Sequence, residues 1–239
     1  LLAKYSVQFM PSLYSLFVAQ QHLRNSNTKS LLAVVNPTND LDFALFEGAM
    51  ISRFFAASNT QLTGSSASKI SLDLAMKNSY GYLHLATHGS YNWRDPQASS
   101  LSLANNEKLT LRDLLSERSK LSENRLVVLS ACETGFSDIN IPTESLGLPL
   151  AFLRIGAPGV ISTLWEVDDI STAFLMIKFY QLHRTQQIEP AIALAQAQMW
   201  LRSITANELY EWLKDLLAKN KTSWKGHERF NDFMRNLRE

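Results

Sequence analysis

Four short apolar runs, separated by stretches of helical periodicity, constrain the fold of this chain more than any other feature. Leu31 to Val35, Tyr80 to Thr87, Arg125 to Ala131 and Gly159 to Leu164 are continuous or nearly continuous in apolar residues. That is the pattern of strands buried on both faces of a parallel sheet, not the in-out alternation of a half-exposed antiparallel one. Strands alternating with helices predict an α/β domain with a mostly parallel central sheet and helices on both faces.

The intervening segments fill in that outline. Asn39 or Asp40 is placed to cap a helix carrying Phe43, Phe46, Met50, Phe54 and Phe55, and Asn59 to Thr63 offers a further short strand. Ser65-Ser66 opens a helix expected to turn Ile70 and Leu74 inward. Leu101 to Leu103 and Lys108 to Leu111 flank the turn signal Asn105-Asn106, which predicts a small accessory hairpin outside the main sheet, after which Thr110 caps a short helix. Helices are expected over Glu144 to Ile155 and from about Ser171 to His183. Near the start, Tyr5 to Phe9 is a strand candidate, and a helix follows from Ser12 to about Arg24. With 239 residues, 46% of them apolar, the chain can bury one good core. A single domain over 1–239 is expected, with 188–239 as its C-terminal helical part.

Charge and cysteine usage narrow the partners. A net charge of +1, 19% charged residues and no Lys/Arg block leave nothing to attract nucleic acid or an anionic membrane. The longest weakly charged stretch, Gly147 to Trp165, is broken by Pro149, Arg154, Gly156, Pro158 and Gly159, so no membrane segment is expected. The chain opens at Leu1 with neither a Met nor a signal-peptide pattern, which leads to the expectation of a piece cut from a longer protein. One cysteine forbids an internal disulfide and suits a reducing, cytoplasmic setting. That cysteine, Cys132, is then either buried filler or a reagent.

Two of the apolar runs end at reactive side chains, in Leu85-Ala86-Thr87-His88-Gly89 and in Leu129-Ser130-Ala131-Cys132-Glu133-Thr134-Gly135. The carboxyl ends of parallel strands form the edge where ligands bind, so both side chains would open onto one crevice. An unassisted thiol, with a pKa near ~8.5, is only a few per cent thiolate at neutral pH, and an imidazole can take its proton and later protonate a leaving amine. The N–H groups of Gly89 and Cys132 are the candidate oxyanion donors. Each residue also has a structural reading, since free Cys buries readily and a His beside an apolar strand is often only packed there. Pattern alone leaves both readings open.

Other chemistries find less support. His84 and His88 stand four apart on a strand without an acid or Cys at zinc spacing, so no metal is expected and His84 reads as packed in the sheet. No G-x-S-x-G elbow, Walker loop or G-x-G-x-x-G is present. Class I glutamine amidotransferases pair Cys with His on an α/β sheet, but their Cys comes first.

The chain resembles the CHAT peptidases, caspase-like domains often found after tetratricopeptide repeats and grouped with caspases, separases and gingipains. The likeness rests on Phe9 to Leu13, Leu31 to Pro37, His84 to Gly89, Leu126 to Gly135, Glu144 to Pro149, Ala151 to Leu153, Gly156 to Pro158, Leu164 to Asp169 and Ala195 to Arg202. It implies a caspase-like fold and a Cys132–His88 dyad that hydrolyses peptide bonds of a protein partner without metal or organic cofactor. It also implies control by a repeat region or an activating protein. Relatives choose the residue before the scissile bond through a charged pocket near the strand after the nucleophile. Here Asp138, Glu144, Trp165, Asp168 and Asp169 are the corresponding candidates, with Glu166 beside them. Asp168 or Asp169 has a competing reading as the cap of the helix near Ser171. Where many relatives end in an aromatic, proline-containing strand, this chain ends in Glu228 to Arg235, which leaves its last element missing, replaced or helical. The alternative function is a non-catalytic regulatory or scaffolding domain that keeps the fold.

Overall fold

A computed structural model describes residues 7–25, 29–55, 58–116, 121, 123–131, 147–219 and 228–238. The described strands are β1 (Leu31–Val35), β2 (Asn59–Thr63), β3 (Tyr82–Ala86), β4 (Gly89–Ser90), β5 (Ser100–Ser102), β6 (Lys108–Thr110), β7 (Leu126–Ser130) and β8 (Val160–Ile161). Five of them form a parallel sheet in the order β2-β1-β3-β7-β8, and β4, β5 and β6 form a separate antiparallel sheet. The expected hairpin is β5 and β6, and the residues just after His88 add β4 to it.

The helices are α1 (Leu13–Asn25), α2 (Asp42–Ser52), α3 (Lys69–Ala75), α4 (Leu111–Leu115), α5 (Leu148–Arg154), α6 (Asp169–Tyr180), α7 (Pro190–Ser203), α8 (Ala206–Lys219) and α9 (Glu228–Asn236). Because side chains alternate along a strand, each central strand feeds two cores. Leu31, Ala33, Val35, Tyr82, Ala86, Leu126 and Val128 pack beneath α2, α6, α7, α8 and α9. Leu32, Val34, Leu83, Leu85, Val127 and Leu129 pack against α3, α4, α5 and the small sheet. This two-sided burial is why the strands read as unbroken apolar runs. Helix α2 lies so close to β1 that a Cβ on Gly48 would meet Val35 Cγ2 at 2.6 Å.

Some local expectations give way. In α3 the inward residue is Leu72, while Ile70 and Leu74 face solvent, and the cap is Ser68, whose hydroxyl accepts the Ser71 N–H. A seven-residue helix makes barely two turns, so one buried position is enough to seat it. Residues 7–9 carry no strand, and Tyr5 lies outside the described residues. The chain's last element is the helix α9.

A five-residue π-helical turn, Gln181–Thr185, continues α6 and carries His183. Its Nδ1 donates to the Ile188 carbonyl at 2.7 Å, so its Nε2 accepts from the Tyr82 hydroxyl at 2.9 Å. Burial pushes the imidazole below its ordinary value, although the Ile188 hydrogen bond works the other way. The unfolded chain therefore takes up a proton on His183 more readily than the folded one. This contribution to stability is complete above the unfolded value of about 6.5 and is lost as pH falls through the lower folded value. Melting curves between about pH 7.5 and about pH 5 should lose stability more steeply in the parent than in His183→Gln. Parallel losses would refute the assignment.

Candidate active site

The neighbouring strands β3 and β7 are in register with Ala86 opposite Ser130. In the sequence, His88 follows Ala86 by two residues and Cys132 follows Ser130 by two. Cys132 itself lies outside the described residues, as do Asp138 and Glu144. His88 is held by the small sheet. The Thr87 hydroxyl donates to the Ser102 carbonyl at 2.7 Å, and the Ser102 N–H donates to the His88 carbonyl at 2.9 Å. Since hydrogen-bonded and non-bonded pairs alternate along an antiparallel ladder, the next pair, Gly89 and Leu101, is of the non-bonded kind. The Gly89 N–H is thereby directed away from β5.

The loop after β1 brings a carboxylate to the same edge. His88 Nε2 lies 3.0 Å from both oxygens of Asp40. The loop is shaped by Asn36 and Asn39, both in the left-handed region at φ 47° and 62°, which Asn tolerates better than most residues. Buried Asn36 ties it to the sheet, donating its N–H to the Ala86 carbonyl at 2.9 Å and accepting the Leu41 N–H on Oδ1 at 3.0 Å. The Thr38 hydroxyl donates to Asp40 Oδ1. That bond is the main cause holding the Asp40 carboxyl below its ordinary value; slight desolvation opposes it, and His88 reinforces it. Asp40 is thus a neighbour of His88 and not the cap of α2, whose N-cap residue, Leu41, makes no side-chain cap bond.

Beneath the edge, a buried polar group joins three elements. Glu47 of α2 places Oε1 3.1 Å from His84 Nε2 of β3, and the Ser130 hydroxyl of β7 donates to Glu47 Oε2 at 3.1 Å. The His84 contact is close but off the hydrogen-bonding direction, leaving it electrostatic in character. Glu47 and His84 are 2% and 0% exposed, so neither has water to fall back on. The nearby Tyr180 phenol is pushed well up by burial and by the Glu47 charge, which keeps it protonated.

On the far side of β7, Trp165 is 65% and Leu164 56% exposed, and Glu166 is exposed as well. Asp168 caps α6, with Oδ2 accepting the Ser171 N–H at 2.9 Å. Asp169, in the first turn of α6, has Oδ2 4.0 Å from Arg229, which also reaches Asp42 at 3.5 Å. Arg229 belongs to α9, whose Phe230 packs on Phe46 with ring centroids 4.7 Å apart. Both aspartates therefore have structural engagements. No group of three or more potential metal-ligating His, Cys, Asp or Glu side chains occurs among the described residues, and none of their helices is long and apolar enough to cross a membrane.

The sequence matches the CHAT domain family over residues 1–222, which leaves α9 beyond the match. No curated protein sequence matches. Among solved structures, the Arg-specific cysteine proteinase gingipain R (RgpB) is 9% identical with a TM-score of 0.56, over 79% of this chain and 48% of that one. The complex of Porphyromonas gingivalis RgpB pro- and mature domains is 9% identical with a TM-score of 0.57, over 78% of this chain and 47% of that one. The chain spans about half the length of these neighbours. What it shares with them is the caspase-like α/β fold.

Proposed function

The chain belongs to the CHAT domain family, and on that premise we propose that it is a cysteine endopeptidase acting on a protein partner through Cys132 and His88. The observation that supports this reading is the register of β3 and β7, which pairs Ala86 with Ser130; His88 and Cys132 each follow two residues later in the sequence. His88 takes the thiol proton, Sγ attacks the scissile carbonyl carbon, and the N–H groups of Gly89 and Cys132 receive the developing oxyanion. The C–N bond breaks as the amine leaves with the proton from His88. Water, deprotonated by the same imidazole, then opens the thioester and releases the acid. Each step moves a proton or an acyl group among these residues, the substrate and water.

The exposed Trp165 and Leu164, with Glu166, Asp168 and Asp169 close by in sequence, supply a surface for the substrate side chain beside the bond that is cut. Control by an adjoining repeat region or an activating protein, in the reducing cytoplasm that a lone reactive thiol suits, completes the proposal.

A peptide library incubated with the parent and with Cys132→Ala tests it. The parent should cut a defined subset and Cys132→Ala none. Equal cleavage by Cys132→Ala would sink the role of Cys132, and no labelling of Cys132 by any electrophilic peptide in the activated protein would favour a binding domain that keeps the fold.

A further inference from the structure

We propose that Asp40 is a positioning residue that fixes His88 as the tautomer protonated on Nε2, so that Nδ1 is the nitrogen that serves Cys132. The inference rests on the peptidase reading for its consequence, but its physical content lies in the Asp40–His88 contact. An ionised carboxylate only accepts, whereas a neutral imidazole donates from one nitrogen and accepts on the other. With both Asp40 oxygens 3.0 Å from Nε2, the proton of the neutral ring belongs on Nε2. No hydrogen-bond partner of Nδ1 occurs among the described residues, so that nitrogen is the one left with a lone pair for a thiol proton.

Energy alone does not account for the arrangement. The His88 and Asp40 side chains are 43% and 59% exposed, and an ion pair so open to water adds little to stability. Yet the loop that presents Asp40 is elaborately built. Two asparagines adopt left-handed backbone, a buried Asn36 braces both ends of the loop, and Thr38 orients the carboxylate by donating to it. A Cβ on Gly64 would stand 2.8 Å from Asn39 Oδ1, so the start of the next connection also leaves room for this loop. That effort fixes the direction of a carboxylate. On the other side the His88 backbone is pinned by Ser102. The ring is thus constrained from both ends, and its remaining freedom, which nitrogen bears the proton, is decided by Asp40.

The test uses the parent, Asp40→Asn and Asp40→Glu. Long-range proton–nitrogen NMR of 15N-labelled protein at neutral pH reads the His88 tautomer directly. The Nε2-protonated form should dominate in the parent, become mixed in Asp40→Asn, and return in Asp40→Glu. Melting temperatures should be unchanged across the set. On the best library peptide, kcat should fall about 10- to 100-fold in Asp40→Asn with KM within about twofold, and recover at least in part in Asp40→Glu. An unaltered tautomer in Asp40→Asn, or an unaltered kcat in a cleaving enzyme, overturns the proposal. If the parent cuts nothing, the peptidase reading fails, while the NMR arm still decides whether Asp40 sets the tautomer.

Discussion

Replacing His88 with alanine is expected to lower kcat/KM on the best library peptide by roughly 10³- to 10⁵-fold, without loss of fold. The imidazole has two tasks, and the arithmetic separates them. Without a base, a thiol of pKa near ~8.5 is still about 3% ionised at neutral pH, so loss of thiolate accounts for only about 30-fold. The larger share comes from the leaving amine, which must depart with a proton that nothing else in the proposed site supplies. Alkylation of Cys132 by a small neutral reagent should therefore slow by about 30-fold at pH near 7 and recover as pH rises past the thiol pKa, whereas peptide cleavage should not recover. The side chain of His88 is nearly half exposed, so the melting temperature should stay put. A loss below tenfold in cleavage would remove His88 from the mechanism.

The second large effect lies in the core. Glu47→Ala should lower unfolding stability by about 3–5 kcal/mol, read from the urea midpoint at unchanged slope. The substitution opens a cavity, strips the Ser130 hydroxyl of its buried acceptor and removes the carboxylate that faces His84. Glu47→Gln keeps the volume and an acceptor oxygen and should lose less. The informative comparison is the double variant Glu47→Leu with His84→Leu. Replacing a whole buried polar pair by apolar side chains is often neutral or stabilising, so the double variant should be markedly more stable than Glu47→Leu alone. If Glu47→Ala unfolds at the parent's midpoint, the contact contributes nothing to the fold.

The sheet was legible, and the candidate pair His88 and Cys132 stood out in the sequence, for one reason. Strands buried on both faces write themselves as unbroken apolar runs, and reactive residues at their carboxyl ends stand out against them. Leu31 to Val35 and Leu126 to Ser130 needed no partner to be recognised. Asp40 was not legible as a neighbour of His88, because that depends on β1 lying next to β3, and strand order is not a local property. Its position before an apolar helical stretch pointed instead to a cap, and the competing local signal, Asn36-Pro37 with Asn39, marks a shaped loop without saying where it leads. At Asp168 the cap reading describes the observed hydrogen bond to Ser171. In α3, helical spacing made Ile70 and Leu74 look inward, yet a short surface helix needs only Leu72 buried and leaves the other two wet. The role of Glu47 was hidden for a related reason: an acid in an otherwise apolar helix reads as its solvent face until the strand beneath it is known to carry His84.

Helix α9 has a practical consequence for anyone choosing where to cut this chain. A boundary drawn just before Glu228 would unroof Phe43, Phe46 and Phe174, which Phe230 and Phe233 now cover at centroid separations of 4.7–6.1 Å. It would also unclip Arg229 from the first turns of α2 and α6. Those turns begin within two residues of Asp40 and Asp168, so trimming the tail would slacken the backbone that carries both aspartates. A fragment made that way would report on a loosened domain, and a weak cleavage signal from it would say more about the missing lid of aromatics than about the proposed role of Cys132.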